Sequence, residues 1–261
     1  MRFRVDLWTR GIKLVKNGIL SLSPPSRPTY FTLSAYQSLI KLTHMKLAAL
    51  RELYEETNIF LGQDKYLPTD TTVEDRKDSH WFRQHCEKSG YVPPLARLIP
   101  FSRWVSPLQM EKVRFDTTFY LAEVDELEIV HQKLTTTELV SLDWQSPDYF
   151  MEKSETQEVK LPPPTWTKLQ EIIQHTHMDD LFAYAKQKVI KVVQPCLKQS
   201  DAGLIVVFVG DEAYELETAA ETALTQGKVG DRNRIYATTP FKWERNIVSD
   251  IPYTQLPTPK L

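Results

Sequence analysis

Residues 51–59 read Arg51-Glu52-Leu53-Tyr54-Glu55-Glu56-Thr57-Asn58-Ile59, and the reading of this stretch, RELYEETNI, sets the reading of the chain around it. On a helical period, Glu52, Glu55 and Glu56 stand at i, i+3 and i+4, so three carboxylates share one face while Leu53 turns elsewhere. Like charges at that spacing repel. Three arrangements relieve the repulsion: screening by solvent, an i,i+4 pair between Arg51 and Glu55, or a divalent cation among the acids.

Upstream, Pro24, Pro25 and Pro28 break the chain, after which Leu39, Leu42, Ala49, Leu50 and Leu53 form a helical stripe. The pattern predicts a helix over about 39–57 that ends near Asn58, a residue that tolerates the left-handed conformation closing many helices. Downstream, the polar run 64–79 reads as a loop leading into a short helix from His80 to Lys88. Two strands are expected over Leu95 to Val105 and Val113 to Val124 as an antiparallel pair, and another over Glu138 to Trp144. Ser146-Pro147 carries the chemistry that opens a helix, and Leu161-Pro162-Pro163-Pro164 is a rigid turn before a helix near Trp166 to His175. The apolar run GLIVVFVG, 203–210, fits a buried strand. Helices and strands mix without regular alternation, which favours a mixed α/β (α+β) fold with flanking helices over a doubly wound one.

Composition bounds the function. The 261 residues, 41% hydrophobic and 25% charged, describe an ordinary globular chain, and a net charge of −2 gives no global argument for nucleic acid. No apolar run is long enough to span a bilayer, so a soluble, intracellular protein is expected. Cys86 and Cys196 are too few and too far apart for a disulfide framework or a zinc site. The local charge is less even: before Glu52 the only acid is Asp6, against nine bases, which gives the first twenty residues a transit-segment character. Pro259-Lys260-Leu261 is a loose version of a peroxisomal address. These two weak signals are the ground for expecting a mitochondrial or peroxisomal location.

The acidic stretch resembles the second half of the Nudix box, Arg-Glu-apolar-x-Glu-Glu-x-Gly-apolar, with Asn58 in the glycine position. Five blocks occur in the order seen in the acyl-coenzyme A diphosphatase branch of the Nudix hydrolases: LAALRELYEETNIFL, RLIPFSRWVSP, RFDTTFYLAEV, ELVSLDWQSP and LPPPTWTKLQEI. The resemblance implies a Nudix-like α/β/α sandwich with a mixed sheet, its opening strands missing or replaced. It divides the chain into a basic N-terminal segment over 1–33, a Nudix-like domain over 34–195 with the catalytic helix at about 39–57, and a C-terminal extension over 196–261.

The same resemblance implies that Glu55 and Glu56 hold Mg²⁺ or Mn²⁺, that Glu52 binds metal or acts as base toward the attacking water, and that Arg51 orients these glutamates. The implied substrate is coenzyme A or acyl-CoA, cut at its diphosphate. Glu138 fits a further metal ligand or base, or an exposed acid at a strand end; Arg114 fits a phosphate contact, or a structural pair with a nearby acid. Trp104 and Trp144 read as core or strand-face aromatics, and His175 and His177 point to different sides of a helix, so they make no metal pair.

Where a complete box opens with a glycine and carries an acid six residues later, this chain has Gln37 and Thr43, and no Gly-Gly pair occurs anywhere. A catalytically deficient, Nudix-derived binding protein is therefore the alternative from another class. A nucleic-acid-processing enzyme draws only on the basic first fifty residues, which lack the interleaved aromatics of a binding track. The partner expected is a small molecule, with no nucleic acid and no membrane span; the oligomeric state is left open.

Overall fold

The computed structural model describes residues 3–4, 33–57, 59–62, 79–107, 109, 115–125, 143–200, 203–214, 232–239 and 242–248. The chain divides into two compact units, one of Met1–Leu14, Pro100–Phe119 and Asp143–Leu261, the other of Val15–Ile99 and Tyr120–Leu142. Helices and sheets mix in one chain, as a mixed α/β fold requires. Among the described residues no helix is long and apolar enough to cross a membrane.

In the Val15–Ile99 unit, helix α1 runs over Leu33–Thr57. It ends where the acidic stretch predicts and begins earlier than the expected position near 39, because no proline or glycine between Leu33 and that point interrupts it. Leu50 and Tyr54, one turn apart, are buried and put this face into an apolar cluster with Phe60, Leu61, Phe82, Tyr91 and Leu98. At the helix end the Thr57 hydroxyl donates to the Leu53 carbonyl at 2.5 Å, satisfying one of the last-turn carbonyls. The chain then turns at Gly62, whose φ of 84° favours glycine and whose absent Cβ would meet the Pro94 ring at 3.0 Å. The Tyr91 hydroxyl donates to the Leu61 carbonyl at 2.7 Å and fixes the same turn from the other side.

Helix α2, Ser79–Ser89, lies where the short helix was expected. The strand expected from Leu95 is a correction: Leu95–Arg97 forms a 3-10 turn instead, and the strand starts at Ile99. Pro93-Pro94 explains the difference, since proline fixes φ while its carbonyl still accepts, and Arg97 N–H donates to the Pro94 carbonyl at 3.0 Å. Lys46 Nζ donates to the Leu95 carbonyl at 2.9 Å and ties this turn to α1.

The other unit carries most of the strands. Strand β1, Phe3–Arg4, pairs antiparallel with β4, Trp144–Gln145. Strand β2, Ile99–Val105, is the middle of a three-stranded sheet between β3, Asp116–Leu121, and β5, Val192–Val193, the β2–β5 pair being parallel. A bidentate pair, Arg103 Nε to Asp116 Oδ1 at 2.7 Å and Nη2 to Oδ2 at 2.5 Å, links β2 to β3.

Helix α3, Pro147–Glu155, opens as its sequence predicts: Ser146 Oγ accepts from the Tyr149 N–H at 3.3 Å, with Pro147 behind the cap. Ser146→Ala is expected to cost about 0.5–1 kcal/mol, measured by chemical denaturation, and Ser146→Asp is expected to recover it. Helix α4, Pro163–Ile172, takes Pro163 and Pro164 into its own first turn, where their missing N–H groups leave nothing unpaired.

Helix α5, Met178–Gln187, was not foreseen in the sequence; the Tyr184 hydroxyl on it donates to Glu171 of α4 at 2.6 Å. The last strands, β6 Cys196–Ser200, β7 Gly203–Val207, β8 Arg232–Thr239 and β9 Lys242–Val248, form an antiparallel sheet in sequence order. The core of this unit gathers Trp104, Phe150, Leu161, Trp166, Leu169, Val206, Phe208, Ile235 and Trp243. Trp243 Nε1 donates to the Leu161 carbonyl at 2.8 Å, so even the polar edge of that ring is used. Trp104 is thus a core aromatic, as expected.

A buried ion pair closes the far end of the sheet. Asp211 accepts Arg234 Nη2 on Oδ1 at 2.6 Å and Arg234 Nε on Oδ2 at 2.7 Å, and it also accepts the backbone N–H groups of Ala213 and Asn233 at 2.8 and 2.7 Å. Both side chains are 0% exposed.

Candidate active site

The last two turns of α1 carry Glu52, Glu55 and Glu56, and two of the three carboxylates turn to Arg51. Arg51 Nη2 lies 2.6 Å from Glu52 Oε1, and its Nε lies 3.1 Å from Glu55 Oε1, with the three side chains 17–21% exposed. One guanidinium therefore faces two carboxylates. The pair to Glu55 is electrostatic rather than a formed hydrogen bond, since the buried Nε has no acceptor in hydrogen-bonding geometry. Glu56 lies inward and is only 6% exposed.

Burial pushes the Glu55 carboxyl up to about 7; Arg51 opposes the shift and Glu52 adds to it. Among the described residues no three acidic, histidine or cysteine side chains are grouped to hold a metal ion. In donor type, though, the three side chains suit a hard divalent cation. Their oxygens are carboxylate, and a cation beside Glu55 would remove the penalty that burial places on its charged form. Glu138 and Arg114 lie outside the described residues. Asp116, near Arg114 in sequence, is paired with Arg103, a contact the sequence reading did not name.

A model of the NUDT19 Nudix domain matches residues 4–172 of this chain. The chain belongs to that family. The NUDT19 Nudix match contains the whole acidic stretch and also reaches back into the basic N-terminal segment, and it ends with α4. Among curated relatives, the acyl-coenzyme A diphosphatase NUDT19 of Gallus gallus is 25% identical over 196 residues, covering 65% of this chain and 52% of the relative. The proteins of the same name from Xenopus laevis and Homo sapiens are 23% and 24% identical, each covering 65% of this chain and 50% of the relative. The chain spans about half the length of the curated relatives it matches. No solved structure matches it significantly.

The raised Glu55 carboxyl gives this Nudix domain a pH dependence of definite sign. The folded state holds the Glu55 proton more tightly than the unfolded chain, so the contribution to stability is complete below about 4.5 and is lost as pH rises through about 7. In the presence of a chelator, the melting temperature of wild type is expected to fall across that window more steeply than that of Glu55→Gln. Parallel profiles would show that Glu55 is an ordinary solvated carboxylate.

Proposed function

We propose that this chain hydrolyses the diphosphate of coenzyme A or acyl-CoA in a reaction dependent on Mg²⁺ or Mn²⁺, giving adenosine 3′,5′-bisphosphate and (acyl-)phosphopantetheine. The observation that carries the reading is the Arg51-organised acidic end of α1 inside the matched Nudix domain. The names of the curated relatives support the choice of substrate.

In this reading Glu52, Glu55 and Glu56 hold the cation, which when bound neutralises charge on the diphosphate oxygens. Water adds to one phosphorus, the bridging P–O bond breaks, and Glu52 takes the water's proton. Arg51 sets the direction of the Glu52 and Glu55 carboxylates through the two contacts described. Glu138 is proposed as a further base or ligand and Arg114 as a phosphate contact.

The absence of a Gly-Gly pair favours a second reading, a Nudix-derived protein that binds the same ligand without turnover. Glycines before the box would let backbone approach the diphosphate, which a residue with Cβ does poorly. Incubating purified protein with Mn²⁺ and, separately, coenzyme A, acyl-CoA and other nucleoside diphosphate derivatives distinguishes the readings by chromatography. Release of adenosine 3′,5′-bisphosphate is expected. Cleavage of an unrelated nucleotide alone would sink the coenzyme A assignment, and binding without cleavage would favour the second reading.

A further inference from the structure

Behind the acidic end of α1 stands a closed circuit of four rings. Tyr54 is stacked on Trp81 at 5.1 Å and 11°, Trp81 on His85 at 4.9 Å and 9°, His85 meets Phe60 at 5.0 Å, and Phe60 returns to Tyr54 at 4.0 Å. Trp81 and His85 are one turn apart on α2, so a single helix face supplies half of the circuit. Tyr54 and Phe60 bracket the end of α1, and both are almost wholly buried. His85 Nε2 is buried without a hydrogen-bond partner, and burial lowers the histidine's pKa, which keeps the ring uncharged.

Tyr54 follows Glu52 by two positions and precedes Glu55 and Glu56, so on a helix Glu52 and Glu56 stand roughly 160° round the axis from its ring and Glu55 roughly 100°. The ring circuit therefore grips α1 from behind and resists rotation of the turn that carries them. Because side-chain ends lie about 5–6 Å from a helix axis, a rotation of roughly 10° would carry a carboxylate about 1 Å. Displacements of that size are enough to disable a site.

We propose that Trp81 is a positioning residue: through Tyr54 it sets the rotation of the last turns of α1 and so the placement of Glu52, Glu55 and Glu56 for a divalent cation. The inference rests on the functional reading above, but its primary readout is metal affinity, which does not need turnover.

The test uses the full chain and compares wild type, Trp81→Leu, Trp81→Phe and Leu98→Ala. Leu98 belongs to the same apolar cluster but makes none of the four ring contacts, so its truncation is the control for lost packing. Mn²⁺ affinity is measured by electron paramagnetic resonance of the free ion, and kcat and KM are measured with acyl-CoA. Trp81→Leu is expected to weaken Mn²⁺ binding by at least about tenfold and to lower kcat similarly, with KM for acyl-CoA little changed; this is the scale of losses for outer supports of metal ligands. Trp81→Phe, which keeps an aromatic face, is expected to restore most of both. Leu98→Ala is expected to lower the melting temperature and change neither.

The proposal is overturned if Trp81→Leu binds Mn²⁺ like wild type, or if Leu98→Ala weakens binding as much. Failure of Trp81→Phe to recover affinity also counts against it. Wild type that binds Mn²⁺ without hydrolysing acyl-CoA would remove the functional reading and leave this inference to be judged by affinity. Wild type that binds no Mn²⁺ would overturn both.

Discussion

Under the proposed metal-dependent reaction, Glu56→Gln and Glu55→Gln are each expected to lower the rate of acyl-CoA hydrolysis by at least about a hundredfold, the scale attached to removing one element of catalytic electrostatics, with folding intact. Glutamine preserves the shape of a side chain that is 6% exposed at position 56, so the change removes a charge rather than a packing contact. Without metal, Glu56→Gln is expected to leave stability equal or a few tenths of a kcal/mol higher, because one of three neighbouring like charges is gone, and Glu55→Gln is expected to gain more as pH rises past about 7, where burial penalises the wild-type carboxylate. With Mn²⁺ the order reverses, since a cation that binds only the folded wild type raises its melting temperature. Turnover and thermal melts with and without Mn²⁺ check both halves. If wild type shows no Mn²⁺-dependent rise and the variants react as it does, the acidic stretch is a solvated helix face with an ion pair along it.

The largest expected effect on stability lies in the other unit. Asp211→Asn takes the bidentate carboxylate from the buried Arg234 guanidinium, which keeps Glu212 Oε1 at 3.4 Å from its Nη2, and a loss of about 3 kcal/mol is expected, the lower end of the usual cost of breaking a buried pair from one side. Arg234→Met should cost less, because the Asp211 carboxylate keeps the Ala213 and Asn233 N–H donors. Denaturant titration of the two variants and of their combination measures the pair, with the combination expected to lose less than the sum of the single changes. A loss below about 1 kcal/mol for Asp211→Asn would mean that water reaches the guanidinium and that the pair behaves as a surface one.

These two sites differ in how much of them was legible. The end of α1 carries its own signal: the spacing of three acids, the i,i+4 relation of Arg51 to Glu55, and an ordered set of neighbouring blocks were readable because each is local. That Glu56 is buried while Glu52 and Glu55 turn to Arg51 was not, since a periodic pattern gives a face and not what covers it. Local chemistry also foretold Ser146 as a cap, whereas Pro163 and Pro164, read as part of a turn before the helix, are its first two residues. Helix α5 was missed although Asp179 and Asp180 in its first turn favour a helix N-terminus. Arg234 and Asp211 stand 23 positions apart, and no short pattern announces such a pair. The Tyr54–Trp81 stack has the same character, because a helical repeat places Trp81 and His85 on one face without naming the ring they meet.

The parallel join of β2 to β5 has a consequence for synthesis. Arg103 and Trp104 take Val192 and Val193 as partners, whereas β6 to β9 pair in the order they leave the ribosome. Contacts between distant segments form slowly because a long loop must close before they reward it. During translation, then, β2 has one edge without its strand until α3, α4 and α5 have been made. For that interval its Ile99–Val105 edge is a template for another nascent chain, and slow elongation between Trp144 and Val192 would be expected to raise aggregation rather than relieve it.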